Sequence, residues 1–293
     1  MRRMARIGNQ KTTASFMEVH ETFANWDQTR SVLRGPVGFV PTMGALHDGH
    51  ASLIRKARED MGPDGHVVVS IYVNPTQFND PEDFEAYPST READMAVARD
   101  AGADAVVFPN ADELYPRGVP EQAEATDYGS LTALWEAAHR PGHFDGVVAV
   151  VRRLFSLVRP DRAFFGEKDW QQLAVISELV RREFDGLAIV PVPTVREEDG
   201  LAMSSRNVRL SPSDRCSAAV LHGALVAVAE SGGDQRVVDD QAALLRSTGW
   251  DVEYLAVVDA MTLECEPQGG ARRAIVAAQW GGVRLIDNLP VPN

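Results

Sequence analysis

Apolar and polar positions follow two rhythms along this chain, and the rhythm changes near residue 195. "VGFV" (37–40) is an unbroken apolar run of strand length and predicts a buried strand. "HASLIRKAREDMG" (50–62) follows, with Leu53, Ile54, Ala57 and Met61 on one helical face and Gly62-Pro63 as the stop. "HVVVSIYV" (66–73) predicts a second buried strand. "READMAVARDAG" (91–102) predicts a helix closed by Gly102, and "DAVVFP" (104–109) a third strand. The apolar stretch "DGVVAVVRRLFSLV" (145–158) has helical length and ends before Pro160. "RAFFG" (162–166) predicts a fourth strand, "DWQQLAVISELVRREF" (169–184) a helix, and "LAIVPVPTV" (187–195) a fifth strand.

This alternation predicts an α/β fold, a Rossmann-like, doubly wound parallel sheet with helices on both faces. Ligands of such sheets bind at the carboxyl ends of the strands. Four polar segments follow strands here. They are "PTMGALHDGH" (41–50), "NPTQF" (74–78), "GEKD" (166–169) and "REEDGLAMSSRN" (196–207). All four are expected on one rim of the sheet.

Beyond residue 195 the pattern shifts. "SPSDRCSAAVLHGALVAVAE" (211–230) opens as a capped helix, with Ser211 at the cap, Pro212 next and Asp214 three residues on. A second helix is expected over 236–247. "VEYLAVVDA" (252–260), "RRAIVAAQW" (272–280) and "VRLIDNL" (283–289) predict short strands, the last two joined by Gly281-Gly282 in a hairpin. The expected organisation is a disordered tail over 1–14, a Rossmann-like domain over 15–195 and a smaller α+β C-terminal domain over 196–293.

Composition narrows the chemistry. The 293 residues are 44% apolar and 24% charged, as in a globular protein with a sizeable core. No apolar run reaches bilayer-spanning length. The basic start lacks the apolar core of a signal peptide, so the cytoplasm is the expected location. Two cysteines, Cys216 and Cys265, are too few for a disulfide framework. A formal charge of −13 with no basic run disfavours nucleic acid as a partner. Any phosphate bound is then expected on a small molecule.

Three readings compete for His47 and His50. A metal site needs three or four ligands, and neither cysteine is near in sequence. A solvated turn is the plain alternative. A phosphate site has a mechanism: Gly44 and Gly49 admit an anion to the backbone, and the helix start offers N–H groups and a positive dipole end. Lys168 suits a phosphate as a point charge, and Asp169 suits either a helix cap or a ribose hydroxyl. Ser204, Ser205 and Arg206 suit a polyphosphate on a mobile lid, with a polar interdomain loop as the alternative. Gln77 and Gln172 are uncharged amides able to orient a polyhydroxy acid, or simply surface groups. His143 reads equally as a ligand group or a satisfied structural histidine. A strand, an HxGH turn at a helix start and a later Lys/Ser motif form the layout of HIGH-type nucleotidyltransferases.

In order and spacing, "PTMGALHDGH", "YVNPTQF", the block from Arg140 to Ile176, "VREEDGLAMSSRN", "YLAVVD" and "GGVRLIDN" resemble the pantothenate synthetase (pantoate–β-alanine ligase) family. The resemblance spans about residues 15–289. It implies an ATP-dependent ligase that activates pantoate as an adenylate and passes it to β-alanine, with Mg2+ accompanying ATP and no dedicated protein metal cage. It implies a homodimer, with no nucleic acid or membrane partner. It implies that the first domain binds ATP and pantoate while the second acts as a lid.

Carried over position by position, Met43, Gly44, Ala45, Leu46, His47, Asp48, Gly49 and His50 line the ATP site. His50 takes the family's proton-donor role and His47 faces the phosphates. Gly166, Glu167, Lys168 and Asp169 hold ATP, with Lys168 stabilising phosphate charge. Val195 contacts the adenine or ribose. Met203, Ser204, Ser205 and Arg206 close over the phosphates, like the signature loop of class I aminoacyl-tRNA synthetases. Gln77, Gln172, Asn74, Arg140 and His143 serve pantoate and β-alanine. Two positions depart from the family pattern: Asn79 replaces a glycine and Ser89 an arginine. Competing readings are another HxGH-type adenylyltransferase acting on a different small substrate, a tRNA-charging relative, and a nucleotide-binding module without catalysis.

Overall fold

The computed structural model describes residues 17–265 and 270–292, so the tail expected over 1–14 lies outside the described residues. Among the described residues, six strands form one parallel sheet: β1 (Glu18–His20), β2 (Val37–Thr42), β3 (His66–Ile71), β4 (Ala105–Val107), β5 (Arg162–Gly166) and β6 (Ala188–Val192). Their spatial order is β1-β4-β3-β2-β5-β6. The chain winds outward from β2 through β3 to β4, then returns to the other side of β2 for β5 and β6. This reversal opens a crevice at the carboxyl ends of β2 and β5, where doubly wound sheets take their ligands.

Both faces of the sheet are covered, which explains the unbroken apolar runs. Val37 and Phe39 of β2 pack on one side and Val40 on the other. Val68 and Phe165 are likewise opposed to Val67, Val69 and Phe164. Helices Asp48–Met61 and Arg91–Asp100 cover the Val40 side. Helices Phe23–Val32, His143–Val158 and Trp170–Glu183 cover the other. A strand buried on both faces has no polar side to alternate with.

The second sheet is antiparallel, in the order β7 (Asp251–Asp259), β8 (Arg272–Trp280), β9 (Val283–Val291). Gly281 and Gly282, with φ of 55° and 73°, form the two-residue turn expected between the last two strands. Ala274, Val276 and Ala278 face the sheet's own helices, Pro212–Ala218, Val220–Glu230 and Gln235–Ser247. The single helix expected over 211–230 is thus interrupted at Ala219. That residue keeps helical dihedrals (φ −62°, ψ −21°), so the break lies in the hydrogen bonding and not in the direction of the chain.

The opposite face, with Tyr254, Ile275 and Ala277, packs on Leu131, Trp135 and Trp170 of the first unit. Buried Glu136 joins the two. It accepts from Arg284 at 2.9 and 2.6 Å and from the Tyr254 hydroxyl at 2.5 Å. Burial opposes ionisation of this carboxyl, but the Arg284 hydrogen bonds and charge, with Tyr254 and Arg140, bring it down to about 2.

Gly146, inside helix His143–Val158, sets how the segment after β3 lies. A Cβ there would meet the Thr76 carbonyl oxygen at 2.3 Å and the Gln77 nitrogen at 2.8 Å, both backbone atoms. The close approach also lets the Asn74 amide donate to the Gly146 carbonyl at 3.2 Å. Gly146→Ala is therefore expected to destabilise the fold by about 1–3 kcal/mol through overpacking. Gly223, helical and with nothing within 4 Å of a Cβ, is the control; Gly223→Ala should stabilise by roughly 0.5–1 kcal/mol. Urea unfolding of both variants checks the opposite signs, and a stabilised Gly146→Ala would contradict the packing argument.

Candidate active site

The crevice between β2 and β5 holds a cavity of about 240 Å3. His47 and His50 stand on its wall at the start of helix Asp48–Met61. Their positions follow from the helix's need to satisfy its first N–H groups. His47 is the N-cap, and its Nδ1 accepts from the Gly49 N–H at 3.1 Å. The His50 Nδ1 reaches back and accepts from the His47 N–H at 3.3 Å. This is a capping box built from two imidazoles, where a serine and a glutamate are usual. The hydrogen-bond pattern assigns the ring protons to Nε2 on both rings. Burial lowers the His50 pKa to about 3, with help from His47 and the Lys168 charge. Burial and Lys168 also lower that of His47. Both rings are neutral at pH 7 and offer Nε2–H donors.

The turn before them departs from a simple anion cradle. The Ala45 and Leu46 N–H groups donate to the buried carboxylate of Asp94 at 3.1 and 2.7 Å. That carboxylate supports a left-handed turn with φ of 86° at Gly44 and 50° at Ala45. Gly44, Ala45 and Leu46 lie off the cavity wall, Leu46 packs against the core and Asp48 is exposed. Pro41, Thr42, Met43, His47, Gly49 and His50 are the members of this motif that line the cavity.

Asn74, Gln77, Arg140 and His143 form one connected group on the cavity wall. The Asn74 amide donates to the Gln77 Oε1 at 3.1 Å, and the Asn74 Oδ1 accepts from the Tyr115 hydroxyl at 2.6 Å. The Gln77 carbonyl accepts from His143 Nδ1 at 2.8 Å. His143 Nε2 then accepts from Arg140 at 3.1 Å. Both His143 nitrogens are engaged, which makes this residue a support for Arg140 and not a free ligand group. Burial, followed by the Arg140 charge, lowers its pKa to about 3.

Gly166, Lys168, Asp169 and Gln172 line the cavity from the carboxyl end of β5 and the helix that follows. The Asp169 side chain makes no capping bond, so of its two sequence readings the cap is not the one formed. Glu167 turns away and pairs with Arg273 of β8 at 2.9 Å. Gln171, neighbour of Gln172, is buried and holds the backbone of Leu131, Leu134 and Glu136.

The loop after β6 brings Val195, Met203, Ser204, Ser205 and Arg206 to the same cavity. Arg206 pairs with Asp83 at 2.9 Å, and the Ser205 hydroxyl lies 3.3 Å from that of Tyr87. Asp83 and Tyr87 carry no signal in the sequence that marks them for a site. Tyr72 carries none either, since it continues a strand pattern; partial burial pushes its phenol up to about 12. Asp83 is identified only by its partner, 123 residues away. Among the described residues, no group of three or more His, Cys, Asp or Glu is close enough to hold a metal ion. No helix among them is long and apolar enough to cross a membrane.

A family profile described as pantoate-beta-alanine ligase matches residues 11–290. The chain belongs to the pantoate–β-alanine ligase family. Pantothenate synthetase of Bdellovibrio bacteriovorus is 45% identical over 269 residues, 92% of this chain and 96% of that protein. Pantothenate synthetase of Thermus thermophilus is 47% identical over 264 residues, 88% and 94% of the two chains. A crystal structure of pantothenate synthetase from Thermus thermophilus matches with a TM-score of 0.84 at 46% identity, covering 94% of this chain and all (100%) of that one. Pantoate–β-alanine ligase of Francisella tularensis, solved with beta-gamma ATP and beta-alanine, matches with a TM-score of 0.79 at 33% identity, covering 94% and 98%. Of the two positions that depart from the ligase family's motifs, Asn79 donates to the Pro141 carbonyl at 2.7 Å, and Ser89 is exposed.

The buried histidines of this family member carry a pH signature. An unfolded histidine titrates near ~6.5, while His50 and His143 resist protonation until about pH 3. Below about pH 6.5 the unfolded chain takes up protons that the native rings refuse, so stability falls as pH drops towards 3. Each ring contributes up to about 1.4 kcal/mol per pH unit. Urea unfolding at pH 7 and pH 5 should show this loss, with a shallower slope for His143→Asn. An unchanged slope in that variant would contradict the buried neutral ring.

Proposed function

We propose that this chain is an ATP-dependent ligase that joins pantoate to β-alanine through a pantoyl adenylate. A pantoate carboxylate oxygen attacks the α-phosphorus of ATP and expels pyrophosphate. The β-alanine amine then attacks the acyl carbon, loses a proton and releases AMP. The first step is needed because a carboxylate oxygen is a poor leaving group until it carries a phosphoryl group. Family membership and the convergence of four separated motifs on one crevice support this reading over another HxGH-type adenylyltransferase.

The residue roles follow from the chemistry of the wall. Neutral His47 and His50 donate from Nε2 to the α-phosphoryl oxygens as negative charge builds there. His50 keeps the proton-donor role that the family resemblance implies, through the Nε2–H that its Nδ1 bond to the His47 N–H leaves free. Lys168 offsets the charge on the departing pyrophosphate. Ser204, Ser205 and Arg206 bind the outer phosphates, and Val195 and Met43 border the nucleoside. Asn74, Gln77, Arg140 and Gln172 hold the carboxylates and hydroxyls of the two smaller substrates. Mg2+ would enter with ATP and be held mainly by phosphates and water, with Asp169 on the cavity wall as a carboxylate available to it, and would supply charge neutralisation. The division into units over 15–195 and 196–293 is supported by their separate cores; the nucleotide-binding role of the first and the lid role of the second rest on the family resemblance. The homodimer rests on the family resemblance alone, and the cytoplasmic location on the composition, whose two cysteines fit a reducing compartment.

Convergence of His50, Lys168 and Arg206 on one cavity is the observation that carries the proposal. With ATP, Mg2+ and pantoate, the protein should exchange labelled pyrophosphate into ATP, and adding β-alanine should release AMP. Exchange that does not depend on pantoate would remove the ligase reading. His50→Ala and Lys168→Ala should each lose on the order of a hundredfold in exchange rate, as removal of a transition-state donor does. Near-normal exchange in both would overturn the role assignments.

A further inference from the structure

The "GGVRLIDN" segment belongs to the motifs of this chain, yet none of its residues lines the crevice. Its last residue, Asn288, is buried on β9, and its amide donates two hydrogen bonds. One goes to the Glu167 carbonyl at 2.9 Å and the other to the Lys168 carbonyl at 2.8 Å. One amide thus grips both peptide units around the lysine, from a strand 120 residues further along. This part of β9 is itself locked. Asp287 accepts from Arg196 at 2.6 and 2.9 Å, and Arg196 also donates to the carbonyls of Asn288 and Gly200. Arg196 opens the loop that delivers Ser204–Arg206, and its backbone bridges Ala202. Neighbouring residues of β9 therefore hold the lysine turn and the root of the phosphate-facing loop.

We propose that Asn288 is a positioning residue for Lys168, fixing the turn from which the ammonium reaches the phosphates of ATP. The proposal rests on the ATP-dependent reading above. An amide suits the place because its uncharged –NH2 gives two donors from one atom to two successive carbonyls. Aspartate has the same shape but would set a carboxylate against both oxygens.

A double-mutant cycle tests this, because residues acting through one another are not additive. Asn288→Ala should lower pantoate-dependent exchange and ATP affinity on the order of 10- to 100-fold, the cost of a misplaced catalytic group. The KM for β-alanine should not move. In a Lys168→Ala background, the same Asn288→Ala change should alter both readouts less than about twofold. Where Asn288→Ala does not fold, Asn288→Asp takes its place in the same cycle. An equal loss in both backgrounds, or normal exchange and affinity in the folded single variant, would overturn the proposal. Absence of exchange in the unmutated protein would instead overturn the ligase reading, and the cycle in ATP affinity would still decide on Asn288.

Discussion

Much of this site depends on how one helix satisfies its first N–H groups. Helix Asp48–Met61 starts in the crevice, where its free amides need acceptors. Two histidines provide them, and using Nδ1 as acceptor fixes the remaining proton on Nε2. The usual glutamate at the third helical position would cap equally well, but would place a negative charge where the proposed function puts a phosphate. Imidazole caps the helix without that charge and keeps a donor for the ligand. Burial then keeps the rings neutral, so they act as dipoles of fixed direction. The helix's structural requirement and the site's chemical one are met by the same two side chains.

The turn before that helix shows the same economy. Asp94 takes the Ala45 and Leu46 amides, which holds Ala45 in a left-handed conformation that residues with a Cβ rarely adopt. These two amides are thereby withdrawn from anion binding, so recognition falls to side chains. Elsewhere the working groups are held by partners of their own. His143 aims Arg140, Asp83 holds Arg206, and Glu136 with Arg284 ties the second sheet to the first. Removing one member of a buried ion pair costs about 3–5 kcal/mol, even where the pair contributes little net stability. Such pairs hold the two units in one register more than they strengthen either.

The sheet was legible in the sequence because strands covered on both faces leave apolar runs that nothing interrupts. The shared rim was legible because parallel strands all point their carboxyl ends one way. β1 was not, since a three-residue edge strand leaves no pattern to read. Helix Phe23–Val32 was missed because it buries only Phe23 and Trp26 and offers no continuous apolar stripe. Within the motifs, the sequence overreached where it treated neighbours as equivalent. Consecutive residues of a turn point in different directions, so Lys168 enters the cavity while Glu167 pairs with Arg273 behind it. Gln172 and Gln171 divide in the same way. Asp83, Tyr87 and Asn288 take their roles from contacts across more than a hundred residues, which no local spacing encodes.

The charge of the whole chain and that of the crevice have opposite signs, and this difference bears on selectivity. The protein carries a formal charge of −13, yet its cavity is lined by Arg140, Lys168 and Arg206 against the single carboxylate of Asp169. A narrow cationic cleft in an anionic surface focuses its field inward. A large polyanion meets mostly repulsion over the surface it would have to cover. A small one, of a size to enter a cavity of about 240 Å3, meets attraction once inside. Neutral His47 and His50 fit that arrangement, because two more cations would favour any anion equally. Donors of fixed direction instead favour the ligand whose oxygens lie where the Nε2–H groups point. Under the proposed function, net charge selects for size and the capped histidines select for geometry.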